Sequence, residues 1–161
     1  MKCESDIIRV YSLLLRPMSD DTKSETKIAS LRYAGGEAFV AESQSGHAIV
    51  TSFGRELTAP SPMELVLIAL GGCSGADVVA ILEKKRQRVT DYRIEVRGER
   101  RAEHPRVYTK IEVVHYVRGH AIEPRAVQHA VELSETKYCS VSAMLGATAR
   151  LSMRYEITNE E

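Results

Sequence analysis

Hydrophobic and polar positions change period repeatedly along the chain, and each change predicts an element. Short stretches rich in β-branched and aromatic residues, Lys27–Tyr33, Glu37–Ser43 and His47–Ser52, are separated by Gly35-Gly36 and Ser45-Gly46. Those dipeptides suit tight turns, so the region predicts a small antiparallel meander. Pro60-Ser61-Pro62 then opens a helix, with proline tolerated in the first turn and Ser61 placed to cap it. The helix is expected from Pro62 to about Gln87. It is apolar almost all round as far as Leu82 and then turns basic at Glu83-Lys84-Lys85-Arg86, so its first part should be buried and its end solvated, the basic residues complementing the helix dipole. Two alternating segments follow, Tyr92–Arg101 and Arg106–Val117. In the first, Tyr92, Ile94 and Val96 face one way and Arg93, Glu95 and Arg97 the other, which predicts a second hairpin. Ile122–Leu133 has helical spacing, Ser134-Glu135-Thr136-Lys137 breaks and recaps the chain, and a short helix is expected from Tyr138 to about Leu145. Alternation returns at Arg150–Ile157, the last expected strand.

These elements divide the chain into a tail (1–26), a β-meander (27–60), a central helix (61–90) and an α+β half (91–161), with one interlocked domain over 27–157. The tail combines a semi-apolar stretch, Met1–Pro17, with the polar run Ser19–Glu25. Met18 opens that run, so a natural translation start there is an alternative that intact mass of the native protein decides.

Composition narrows the class. The 161 residues include 22 Lys plus Arg against 22 Asp plus Glu, a formal net charge of zero, so no global field draws the protein to nucleic acid or an anionic membrane. Three cysteines, an odd number, do not form a secreted disulfide framework, and no segment has the pattern of a signal peptide. A reducing cytoplasm is the expected compartment. The apolar run Leu65–Ala76 ends at Asp77, short of the roughly 20 residues needed to cross a bilayer, and reads as a buried helix.

Candidate chemistry centres on Cys73, in Leu70-Gly71-Gly72-Cys73-Ser74-Gly75, and Cys139, in Lys137-Tyr138-Cys139-Ser140-Val141. The plain alternative for each is a small buried hydrophobe. Gly71, Gly72 and Gly75 each cost on the order of 1 kcal/mol relative to alanine inside a helix, so something approaches that backbone closely, whether a packed neighbour or a substrate. Cys139 falls at the start of the second short helix, where free N–H groups favour thiolate. The wide spacing excludes a CxxC motif, and with only Cys3 to add there is no zinc-type thiol quartet, so no metal and no cofactor are expected. The histidines, His47, His104, His115, His120 and His129, show no paired helical spacing and are expected on the surface. Cys3 is incidental in the tail.

Pro62-Met63-Glu64-Leu65-Val66-Leu67-Ile68-Ala69-Leu70-Gly71-Gly72-Cys73, then Asp77-Val78-Val79, and later Leu133-Ser134-Glu135-Thr136-Lys137-Tyr138-Cys139-Ser140-Val141 together resemble the OsmC/Ohr family, in its YhfA-like branch. The likeness runs from about Lys27 to Ile157. It implies an α+β intertwined homodimer, antiparallel sheets wrapped around long central helices, with the site at the dimer interface. It also implies thiol peroxidase chemistry on organic hydroperoxides in oxidative stress defence. On that mapping Cys73 is peroxidatic and becomes a sulfenic acid, Cys139 resolves it as a disulfide, and an external dithiol reduces the pair. The apolar surroundings of both cysteines favour an organic over an inorganic peroxide. One departure stands out. The peroxidase branches hold an arginine from the meander and a glutamate ten residues before the first cysteine over the thiolate, whereas this chain has Met63 at that spacing and Glu64 one position later. Glu64 is then either part of the site or a partner of the helix N-terminus, and Arg32 or Arg55 is the substitute cation. Without a cation Cys73 keeps a thiol pKa of about 8.5. Asp77, one turn on, either disfavours thiolate or pairs elsewhere. The rival readings are a non-catalytic small-molecule binding protein and a redox sensor that uses only the cysteine pair.

Overall fold

The computed structural model describes residues 24–161; the expectations for the tail before that point, Cys3 and Met18 included, lie outside the described residues. The described chain folds as α+β, with two three-stranded sheets. The meander is β1 (Ala29–Gly35), β2 (Ala38–Ser43) and β3 (Ala48–Ser52), each antiparallel to the next. Gly35, Gly36 and Gly46 take positive φ at its turns, the conformation glycine adopts without steric cost. A loop leads to the central helix α1 (Pro62–Lys84). Strands β4 (Arg88–Arg100) and β5 (Tyr108–His120) form a long antiparallel hairpin. Helix α2 (Pro124–Leu133), a π-helical turn (Ser134–Tyr138), helix α3 (Ser140–Gly146) and strand β6 (Arg150–Asn159) complete the chain.

The N-terminus of α1 is a complete capping box. Ser61 Oγ accepts the Glu64 N–H at 3.3 Å, and the Glu64 carboxylate accepts the Ser61 N–H at 2.7 Å, so two orphan backbone donors are satisfied reciprocally. Ser61→Ala is expected to cost about 1 kcal/mol of stability, read as a lower urea midpoint with unchanged slope; an unchanged midpoint would show that the loop holds the helix start without the cap. At the other end the helix stops at Lys84, short of the expected Gln87. The Arg86 N–H bonds to Glu83 O, the Gln87 N–H bonds to Leu82 O, and Arg86 lies at φ 57°. This is a Schellman ending with arginine where glycine is usual, so the sequence carries no glycine to mark it.

One expectation is corrected. The second sheet is mixed, because β6 runs parallel to β5 from Lys110↔Arg150 to Gly119↔Asn159. Alternation identifies a strand but not its direction; here the helical segment between β5 and β6 carries the chain back along the sheet, the connection a parallel pair requires. The hairpin strands also extend beyond the expected limits, since Arg88 and Val89 pair with His120 and Gly119.

Two apolar clusters lie between α1 and this sheet. Val78 and Leu82 pack with Val117, Ile122, Val127, Ala130 and Val131, and Leu70 packs with Tyr108, Ile111, Val113, Cys139 and Ala149. The glycines of α1 divide by face. A Cβ on Gly71 would stand 3.2 Å from Val96 Cγ2, and one on Gly75 3.5 Å from the Tyr92 ring, whereas one on Gly72 would meet nothing within 4 Å. Gly71 and Gly75 therefore let helix and sheet approach closely, with Tyr92, Ile94 and Val96 on the inward face as their alternation predicts. Gly72 sits on the outward face with Ile68, Ala69 and Ala76, all exposed in the single chain. In length and hydropathy α1 would qualify as a membrane span, but core helices meet the same test, and its Leu70, Val78 and Leu82 are buried against the sheet.

Candidate functional site: a paired thiol beside a carboxylate

Cys73 and Asp77 project from the same side of α1, one helical turn apart. The crossover after α2 lays the π-helical turn and the start of α3 against them. As a result Cys73 Sγ, a carboxylate oxygen of Asp77 and Cys139 Sγ all lie within 4.8 Å of one another. Cys73 is partly exposed and Cys139 is 3% exposed, and both are free thiols. The plain reading of Cys139 as a buried apolar residue is thus half right: it belongs to the core cluster and also faces a second sulfur.

Cys139 is the N-cap of α3, its Sγ accepting the Ser142 N–H at 3.4 Å. The next backbone donor, the Val141 N–H, is directed at Cys73 and favours its thiolate. Opposing causes prevail. Burial pushes the Cys73 thiol up, the adjacent Cys139 thiol adds to this, and the charge of Asp77 adds a smaller contribution. Burial likewise raises Asp77, partly offset by a hydrogen bond from Ser134. Among the described residues no arginine or lysine acts on either group.

The other sequence candidates are not drawn to the sulfurs in this chain. Glu64 is engaged by Ser61 in the capping box, and hydrogen bonds from Ser61 hold its carboxyl below the usual range. Arg32 is exposed on β1, in register with Val40, and Arg55 is exposed in the loop before α1. A shallow groove of about 400 Å³ lies by that loop, lined by Leu57, Thr58, Ala59, Pro60, Glu64 and Ile68; neither sulfur lines it. Of the described residues, Cys73, Asp77 and Cys139 are those whose donor atoms converge as metal ligands would. They supply one donor fewer than a closed tetrahedral zinc site.

Sequence reasoning missed the polar residues beneath the thiols. Ser134 Oγ lies 3.1 Å from both Asp77 Oδ2 and Ser74 Oγ, and Ser74 Oγ lies 3.4 Å from His115 Nε2. His115 Nδ1 lies 2.5 Å from the Tyr92 hydroxyl. All but Asp77 and Tyr92 of this set are fully buried. Burial drives the Tyr92 hydroxyl far up, so it stays protonated where it meets Nδ1, and Ser74 faces the other ring nitrogen. His115 thus departs from the surface position expected of it: it is 0% exposed, and burial pushes its pKa down to about 4. A signal was available, since the alternation of β5 sets His115 on the face of Ile111, Val113 and Val117, all buried.

Fold and site together define a small α+β dithiol protein, with one sulfur on a central helix and the other capping a short helix laid across it. Residues 54–154 match the family model described as OsmC-like protein, and the chain belongs to that family. It is 44% identical over 129 residues to protein YhfA of Escherichia coli strain K12, covering 80% of this chain and 96% of that one. A crystal structure of a hypothetical protein from Aquifex aeolicus VF5 superposes with a TM-score of 0.78 at 37% identity, covering 86% of this chain and all of that one. The organic hydroperoxide resistance protein OhrB of Bacillus subtilis shares the fold at 16% identity with a TM-score of 0.57, covering 82% of this chain and 98% of that one.

Proposed function

We propose that this protein is a thiol-dependent peroxidase that reduces organic hydroperoxides. Cys73 sulfur attacks the distal peroxide oxygen, giving a sulfenic acid and an alcohol. Cys139 then attacks the oxidised sulfur, water leaves, and an external dithiol reduces the disulfide in a reducing cytoplasm. The observation that carries this reading is the approach of two sulfurs, remote in sequence, to within 4.8 Å. Family membership and a fold shared with an organic hydroperoxide resistance protein support it. The working form is a homodimer. The strands of the meander make their main contacts with one another, and Leu31, Tyr33, Ile49 and Val50 are about half exposed or more, as is Ile68 on the open face of α1. Apolar exposure on that scale calls for a partner surface, and a second copy brings another meander, with its Arg32 and Arg55, towards α1.

The test is to treat reduced protein with one equivalent of an organic hydroperoxide and map the product by mass. A Cys73–Cys139 disulfide with stoichiometric alcohol is expected, with faster reaction than for hydrogen peroxide. Equal rates with both oxidants remove the preference for organic substrates, and unchanged thiols remove the reaction itself. The raised pKa of Cys73 and the absence of a cation acting on it among the described residues favour the second reading, a binding protein or slow redox sensor that keeps the cysteine pair without turnover.

A further inference from the structure

A carboxylate is an unusual neighbour for a nucleophilic sulfur, because its charge opposes thiolate formation. In this chain it is nonetheless built in. Asp77 forms no salt bridge among the described residues, and its hydrogen bond from Ser134 Oγ engages Oδ2. Ser134 is fully buried and backed by Ser74, His115 and Tyr92, so the carboxylate is held by a chain of neutral groups that carries no counter-charge. One of its oxygens and both sulfurs all lie within 4.8 Å of one another, a span that one peroxide oxygen or one water bridges.

We propose that Asp77 is the general base of the reaction, taking the Cys73 thiol proton as sulfur attacks and returning it to the departing oxygen. The inference rests on the peroxidase reading above. The S–O bond forms as the O–O bond breaks; sulfur is oxidised by two electrons and the hydroperoxide is reduced to alcohol. The thiol proton passes through the carboxylate to the alkoxide, and Asp77 ends ionised, as it began. In the second half the Cys139 thiol attacks the sulfenic sulfur, and its proton leaves by the same carboxylate with the hydroxyl as water. The thiol that burial, with a smaller contribution from Asp77, keeps protonated at rest is therefore the one Asp77 deprotonates at the moment of attack, and burial makes the carboxylate a stronger base than an exposed aspartate.

The pH behaviour follows from the groups around it. On α1 the neighbour is Cys73; from the π-helical turn and α3 come Ser134 and Cys139; β4 brings Tyr92, which stays protonated; β5 brings His115, neutral above about pH 4. No cation from these elements acts on Asp77.

The experiment compares two reactions of Cys73 in wild type, Asp77→Asn and Ser134→Ala across pH: alkylation by iodoacetamide, which needs thiolate but no proton donor, and oxidation by an organic hydroperoxide. For Asp77→Asn at neutral pH, alkylation is expected to rise by a few fold while oxidation falls about 100-fold. For Ser134→Ala the acid limb of oxidation moves to higher pH, because the hydrogen bond that lowers Asp77 is gone. Continued protection of Cys139 from alkylation reports that each variant is folded. If both reactions rise together in Asp77→Asn, or the acid limb stays in place in Ser134→Ala, Asp77 is only an electrostatic penalty and the inference falls while the peroxidase reading stands. A wild-type protein that alkylates but does not react with hydroperoxide overturns both.

Discussion

Cys73→Ser is expected to abolish hydroperoxide reduction, a loss of at least about 1,000-fold, because the other thiol beside the same carboxylate, Cys139, is buried and a serine hydroxyl is far harder to deprotonate than a thiol. Cys139→Ser separates the two half-reactions. Cys73 still attacks, so one alcohol forms per chain in a burst; the cycle then stops, and Cys73 accumulates as sulfenic and then sulfinic acid. The measurement is single-turnover alcohol release with mass mapping of Cys73. A full cycle retained in Cys139→Ser would mean that the external dithiol reaches the sulfenic acid directly, and Cys139 would return to its plain reading as a core residue. Its packing makes the substitution structurally mild: Sγ accepts a backbone N–H, which a serine oxygen also accepts.

The largest effect on stability is expected from His115 and pH. In the native chain His115 is fully buried with a pKa of about 4, and unfolding returns it to about 6.5. Between those values the unfolded chain holds the proton and the native chain does not, so unfolding takes up a proton and stability rises with pH across the window. The stabilisation is complete above about pH 6.5 and is lost as pH falls towards 4; the full shift corresponds to about 3 kcal/mol. Asp77 and Glu135, both raised by burial, hold protons more tightly in the native chain and offset part of this loss. Urea unfolding at fixed protein concentration, at pH 7.5 and pH 4.5, measures the slope. His115→Gln keeps a hydrogen-bonding side chain for Tyr92 and removes the titration, so the variant should be less stable at pH 7.5 but much flatter with pH. An identical slope in the variant would place the acid sensitivity elsewhere.

These two predictions draw on different levels of information. Both cysteines were legible as a pair because each sits in a short motif of small and apolar residues, and local sequence carries such motifs whole. Glu64 was legible too, as a capping residue, because a capping box is a contact across three positions. His115 was harder: its neighbours Val113, Val114, Tyr116 and Val117 are apolar or aromatic on both faces of the strand, and only the parity of β5 sets it inward.

The sequence by itself determined the order of the elements, the breaks between them, the apolar character of α1 and the two thiols, because period and turn chemistry act over a few residues. Tertiary structure decided that β6 runs parallel to β5, that Gly71 and Gly75 face the sheet while Gly72 faces outward, and that Asp77 joins both sulfurs with Ser134, Ser74, His115 and Tyr92 behind it. Those facts depend on how the crossover docks α2 and the π-helical turn against α1. That docking is fixed by burial of non-local apolar surface, whose geometry no window of sequence contains.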